Sequence, residues 1–579
     1  MTFPRQVPTS RPATVVSTVI LINNREIART WQVDSLTVRR EVNRISWAKV
    51  VLLDGNASSE KFTASNSPLF IPGNEIEIKS GYQQDYITLF KGIITQHGIK
   101  SRGANSTLVI ECRDKAVRMT IGRKSRTFAD MTDSQIMEEI SGGYSGISAS
   151  VQATSVSHRQ MVQFNSTDWD FLVTRAEANG KLCYTQDSRL EVKAPALGTT
   201  VLKLLYGATI LELDAEIDAR HQTGEVVARS WNSNDQAISE SSGREPTLRP
   251  PGNLRTNDLS RTASPGSVDL KHGGNLPEGE LNAWSSSQTQ KQWLAQVRGR
   301  VKCRGTSQVK PGDTIEIGGM SDRFNGKVFV AAVQHFLAAG DWQTDIQFGM
   351  EPEWFADRHK VAPSPAAALL PSVNGLQVGV VTDIGDPQGE ERIRINLPMV
   401  TPSGEGIWAR QARPDAGPDR GMLFRPEIGD EVIVGFLDED PRYPVIIGSV
   451  HSSANQAPLP AAGDNPEKGV VTRTGLKLIF DDPGKSVTIE TPAGRKFTLN
   501  DETGKITLTD GNHSVEITDE GISLNSTGSI SISAATELKL EAATLSVAAN
   551  SSVSLGGSAG VEIESGGVLT LKGSLVKIN

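Results

Sequence analysis

The chain has 579 residues with 37% apolar and 22% charged positions, long enough for about three or four domains and too apolar for a disordered polymer. A formal charge of −8 at pH 7 and the lack of any long Lys/Arg run argue against a nucleic-acid partner, because neutralising phosphates takes a basic face. Cys112, Cys183 and Cys303 lie far apart without C-x-x-C spacing, so they read as buried free thiols rather than a disulfide framework or a zinc site.

Near the start, "ATVVSTVILI" (Ala13 to Ile22) is β-branched and short, which predicts a strand and gives no evident export signal. No segment has the length of a membrane span, so the chain is expected to be made soluble. Two later stretches resemble each other: "PGNEIEIKSGYQQDYITLFKGIITQHG" from Pro72 and "PGDTIEIGGMSDRFNGKVFVAAVQHF" from Pro311. Pro72-Gly73 matches Pro311-Gly312, Ile76-Glu77-Ile78 matches Ile315-Glu316-Ile317, and Phe90-x-Gly92 matches Phe324-x-Gly326. Each reads as turn, strand, loop, strand, predicting two related β-barrels separated by an inserted region. In that region "DMTDSQIMEEISG" (Asp130 to Gly142) predicts a helix starting near Thr132 and Asp133. A second helix, capped by Ser166 or Thr167, would bury Trp169, Leu172, Val173 and Ala176 and stop at Gly180.

"PSPAAALLPSVNG" (Pro363 to Gly375) reads as a connector. The alternating strands and Gly/Pro turns from Leu376 to about Ser452 fit a small barrel of OB type, with Val432, Val434 and Phe436 inward and Gly429 and Gly448 in tight turns. Asp438, Glu439 and Asp440 read as a solvated hairpin turn, since they lack the ligand spacing of a calcium loop. This segment resembles the OB-fold of VgrG-type spike proteins of type VI secretion systems, extracellular contractile injection particles and contractile phage tails. The residues carrying the likeness are Trp408, then Pro426, Gly429 and Glu431 in "PEIGDEVIVGF", then Asp440, Pro441, Pro444 and Gly448 in "DPRYPVIIG". Upstream, Gln163, Asp168, Phe171, Leu172, Arg175 and Gly180 are spaced as in the same family's hub domain.

From Val487 to Ile578 twelve apolar pairs spaced i, i+2 recur every seven to ten residues, with Gly, Asn, Asp and Ser between them. The pairs are Val487/Ile489, Phe497/Leu499, Ile506/Leu508, Val515/Ile517, Ile522/Leu524, Ile530/Ile532, Leu538/Leu540, Leu545/Val547, Val553/Leu555, Val561/Ile563, Leu569/Leu571 and Val576/Ile578. Each pair occupies one face of a short strand, and the repeat means a solenoid or fibre. A single-chain β-helix and a prism wound from three chains both satisfy the period. Beyond Pro492 there is no Pro, Trp, Tyr, Cys or Met, which favours a narrow core.

No catalytic pattern is present. H-E-x-x-H and G-x-S-x-G are missing, "GGYSG" (Gly142 to Gly146) has the wrong register, and "GKS" (Gly484 to Ser486) has Ile479 where a phosphate loop needs glycine. His97, His335, His451 and His513 lack ligand spacing and read as structural. The eighteen residues from Ser453 to Val470 are too few for an inserted lysozyme domain of about 50 residues or more, and no toxin is seen after the repeats.

The expected fold class is mainly β with a minor α+β part: a duplicated β-barrel hub domain (1–362), a linker (363–375), an OB-fold (376–452), a second linker (453–470) and an intertwined triple-stranded β-helix needle (471–579). The resemblance implies a non-enzymatic homotrimeric spike without cofactor or metal, assembled in the bacterial cytoplasm into a tail-like particle. Its implied partners are an inner tube or tube-initiator protein, baseplate proteins, a PAAR-type tip protein docked on Val576, Lys577, Ile578 and Asn579, and the target cell envelope. The needle core would hold Ile530, Ile532, Leu538, Leu540, Val553, Leu555, Val561, Ile563, Leu569 and Leu571. The lack of a fused lysozyme or toxin leans toward an extracellular particle. The alternative is a trimeric carbohydrate-binding fibre or adhesin.

Overall fold

The computed structural model describes residues 15–578 apart from 57, 103–104 and 264–265. Strand outweighs helix 41% to 11%, so the protein is mainly β. It divides into two compact units, Met1–Ser372 and Val373–Asn579.

Unit one is built on a 13-stranded sheet. The β-branched run near the start forms the strand Val16–Ile22, paired antiparallel with Glu75–Tyr82. Each half suggested by the internal likeness has its own apolar core. One gathers Ile22, Leu36, Val50, Ile78, Phe90 and Ile110, and the other Val301, Ile315, Val330, Val333, Ile346 and Phe348. The halves share the sheet, joined where Val33–Glu41 pairs antiparallel with Gly326–Ala338, setting Val38 opposite His335.

Both matched hairpins begin at a left-handed glycine, Gly73 (φ 99°) and Gly312 (φ 93°). Beyond that turn the residue-by-residue match slips. Ile78 pairs with Phe90 in the first hairpin, whereas Ile317 pairs with Gly326 in the second, and Phe324 lies in the loop. Strand register was set by the cores, and the Phe-x-Gly likeness is offset from it by two residues, which keeps every side chain on its own face.

Both anticipated helices of the inserted region form. Thr132 caps Asp133–Gly142 in a reciprocal box with Gln135, and Thr167 caps Asp168–Ala178, its hydroxyl accepting from the Asp170 amide at 3.0 Å. Trp169, Leu172, Val173 and Ala176 are buried, and Gly180 takes φ 65° just past the end. The 18-residue helix Glu278–Ala295 had no sequence-based expectation. Its inward face carries Ser285, Ser287, Lys291 and Gln292 as well as Leu281 and Leu294, so no apolar period marks it.

In unit two, strands Gln377–Asp383, Ile393–Asn396, Ile407–Gln411, Glu431–Phe436 and Pro444–Ser449 close into a five-stranded barrel. Its core holds Val381, Ile393, Ile395, Ala409, Val432, Val434 and Ile446, with Phe436 packed against it. Seven further strands, from Glu467–Val471 to Gly521–Ser526, form an antiparallel meander in which each pairs with the next.

Candidate oligomerisation surface

The hub-like motif proves to be a set of internal clamps. Asp168 is buried, with Oδ1 accepting from Arg126 (2.7 Å) and Gln163 (2.8 Å) and Oδ2 from Tyr144 (2.6 Å) and Lys124 (2.7 Å). Burial pushes this carboxyl up, but the hydrogen bonds from Lys124, Tyr144 and Gln163 outweigh it and hold Asp168 below its ordinary range. Arg175 makes a bidentate bond to buried Asp133 (2.6 and 2.9 Å) and reaches Glu280 at 3.0 Å on the long helix. These groups fix the packing of three helices and the antiparallel strand pair Lys124–Thr132 and Ser157–Ser166, and every carboxylate oxygen of Asp133 and Asp168 is already occupied.

A cleft of about 640 Å³ in unit one is lined by no hydroxyl or thiol side chain. Its Arg298 and Arg300 are already paired with Glu216 (2.8 Å) and Asp214 (2.9 Å). Among the described residues no cluster of three or more His, Cys, Asp or Glu is placed to hold a metal ion.

The barrel motif is likewise architectural. The guanidiniums of Arg392 and Arg394 each lie 5.8 Å from the centroid of the Trp408 ring. Pro426 and Pro444 are buried, Pro441 is half-buried, and Glu431 sits opposite Val380 across the barrel seam. Gly429 has φ 95° in the turn that leads into its strand. Two expectations change. Gly448 is not in a turn: it lies within Pro444–Ser449, opposite Ile433 and beside a bulge that leaves Ile447 unpaired. Asp440 is not solvated either. It is 6% exposed and accepts from Arg442 Nε at 3.0 Å, Nη2 at 2.6 Å and the backbone amide at 2.9 Å. Those bonds hold its carboxyl below the ordinary range, and they close the hairpin as an Asp-x-Arg clamp.

The meander carries the most unusual surface. Leu478, Ile489, Phe497, Leu508, Val515 and Leu524 stand opposite one another strand by strand, and Phe480, Val487, Leu499, Ile506, Ile517 and Ile522 form a second column on the same face. The other face is polar along its middle, running Thr488, Thr498, Thr507, Glu516, Ser523. An apolar column two residues wide is what packs a sheet onto a core, yet Phe497 is 37% exposed, Leu508 55% and Ile522 72%. The ladder begins earlier than the sequence repeat suggested. Leu478 and Phe480 belong to it, hidden in sequence by Ile479, which points to the opposite face beside Thr488.

The pair spacing marks a structural boundary. The first intervals, Val487 to Phe497, Ile506 and Val515, are ten, nine and nine residues, enough for a five-residue strand and a reversing turn. From Val515 they drop to seven or eight. The meander stops one repeat later, at Ser526, and among the described residues none from 528 to 578 belongs to a strand. Seven pairs lie in that stretch. Ile530, Ile532, Leu538, Leu540, Val553, Leu555, Val561, Ile563, Leu569 and Leu571 are all more than half exposed, as is Ile578. Val576 and Lys577 are also exposed, and Asn579 lies outside the described residues. Apolar pairs that are exposed, on a stretch that forms no strand within the single chain, mark an incomplete structure whose side chains lack cover in one chain.

Comparison with known proteins adds to this geometry. The model of the Alg8 N-terminal domain matches residues 12–339, and that of the type VI secretion system/phage-baseplate injector OB domain matches residues 377–451. The type VI secretion system spike protein VgrG3 of Vibrio cholerae is 33% identical over 136 residues, 21% of this chain and 13% of that protein. VgrG1b of Pseudomonas aeruginosa, also a type VI spike protein, is 28% identical over 153 residues, 24% of this chain and 20% of its own. The chain thus spans a fifth or less of these relatives. The 43 kDa tail protein of prophage MuSo2 from Shewanella oneidensis aligns with a TM-score of 0.46 at 10% identity, covering 58% of this chain and 98% of that one.

Proposed function

The chain belongs, by its residues 12–339, to the family of the Alg8 N-terminal domain, and from the injector OB domain match of residues 377–451 we propose that it is a VgrG-type, non-enzymatic central spike of a contractile injection machine, acting as a homotrimer. The observation that carries this reading is the exposed double column from Leu478 to Leu524, continued by the apolar pairs as far as Ile578. Three identical sheets set face to face would bury the columns on one axis, and the shorter repeats beyond would find strand partners in the neighbouring chains.

In this reading residues 1–362 form the hub, 376–452 an OB collar and 471–579 the needle, with linkers between. Two β halves per chain in three copies present six similar modules, a match for a six-fold inner tube. The needle carries a PAAR-type tip protein on its last residues, Val576 to Asn579, and the assembly forms in the bacterial cytoplasm within a baseplate. Contraction would drive it through an envelope for effector delivery, and interlocked strands resist because unwinding must break many backbone hydrogen bonds together. Light scattering on the purified full chain tests the central point. A mass of three chains supports the spike, whereas a monomer at every concentration overturns it and returns the repeats to a single-chain solenoid with a binding role.

A further inference from the structure

The last two repeats differ from those before them on the face opposite the apolar pairs. In a strand, the residue before an i, i+2 pair and the residue within it point away from the pair. In the five repeats whose pairs run from Ile530/Ile532 to Val561/Ile563, these positions hold only Ser, Thr, Gly, Glu or Lys. In the last two they become Val568 with Thr570, and Leu575 with Lys577; Lys572 follows Thr570 on the same side. Val568 is 86% exposed and Leu575 72%. Charge reverses at the same point, from Glu562 and Glu564 to a stretch, 565–578, with two lysines and no acid.

We propose that this band docks on an anionic lipid bilayer. The inference rests on the trimeric reading, in which the pairs turn inward and Val568, Leu575, Lys572 and Lys577 are repeated three times around the outside. Val576 and Ile578 then face the axis toward the tip protein, and Lys577, itself one of the tip-docking residues, directs its side chain outward between them into this band. Apolar side chains on an otherwise hydroxyl- and charge-covered surface call for a cover, and the flanking ammonium groups select one bearing negative charge. A bilayer interface meets both demands: Val568 and Leu575 reach the acyl boundary while the lysine stems extend to the phosphates.

The experiment uses full-length protein, its mass measured first, in co-sedimentation with vesicles of phosphatidylcholine alone or mixed with phosphatidylglycerol. The trimer is expected to bind the mixed vesicles and to release as salt rises. K572Q/K577Q should weaken binding at least about thirtyfold, from about 1 kcal/mol for each of the two lysines on whichever chain faces the bilayer, and V568S/L575S should weaken it while leaving the mass at three chains. A trimer that ignores both kinds of vesicle overturns the lipid contact and assigns the band to a protein cap, and one that binds both kinds equally overturns the selection of anionic lipid by the lysines. A monomeric wild type overturns the spike reading itself.

Discussion

Leu508 stands mid-column between Phe497 and Val515 and is 55% exposed in the single chain. Fully burying a leucine side chain contributes about 1.5–3 kcal/mol, so covering the exposed half against two other chains adds about 1 kcal/mol per chain, or about 3 per trimer. Leu508→Asp forfeits that and sets three carboxylates around an apolar axis. Holding each protonated at pH 7, against an ordinary pKa near 3.9, costs about 4 kcal/mol, so the total penalty reaches about 15 kcal/mol per trimer. That is comparable to the whole free energy of a tight complex. The isolated sheet should survive, because an aspartate at this position is hydrated in one chain. Light scattering is expected to fall from three chains to one while circular dichroism retains the strand signal. Thr498→Asp, on the opposite face, should keep three. If L508D stayed trimeric at micromolar concentration while T498D dissociated, the inward assignment of the columns would be reversed.

Lys291 and Glu177 form a buried ion pair at 2.8 Å, and Glu177 also accepts from Asn43 and the Phe355 amide. Lys291→Met strands that carboxylate and should destabilise unit one by about 3–5 kcal/mol in denaturant unfolding, with Glu177→Leu added to it recovering much of the loss. Burial, assisted by Arg40, pushes His335 down to about 3 from 6.5. The unfolded chain therefore takes up this proton first, so native stability is complete above pH 6.5 and falls as pH drops toward 3. Between pH 6.5 and 5, where few carboxylates titrate, the melting temperature of His335→Gln should slope less than that of the wild type; equal slopes would refute the assignment. Gly429→Ala meets no atom within 4 Å of its new Cβ but must hold φ 95°, so barrel unfolding should lose about 1 kcal/mol, with no change in oligomeric mass.

Local chemistry was readable wherever a short stretch decides its own conformation. Thr132 with Asp133, and Thr167 ahead of Trp169 and Leu172, announce their helices because caps and apolar faces act within two turns. The i, i+2 pairs from Val487/Ile489 to Ile522/Leu524 likewise announced strands with one apolar face, whereas the seven pairs after them form no strand within the single chain; the shortening of the interval after Val515 was already present in the sequence as numbers without a meaning. The spatial partners supplied that meaning. Ile479 broke the visible alternation, so only the pairing of Leu478 with Ile489 assigns it to the polar face. The helix Glu278–Ala295 escaped notice because its inward side is satisfied by Glu177 and other polar groups distant in sequence. Asp440 looked solvated because burial belongs to the barrel around it, and Gly448 looked like a turn because a bulge is defined by the opposite strand. What the sequence by itself determined is the repeat, the capped helices and the alternating strands, all governed by neighbours a few residues away. Register, burial and the exposure of a complete apolar ladder depend on which distant segments meet, and that was decided only by the tertiary structure.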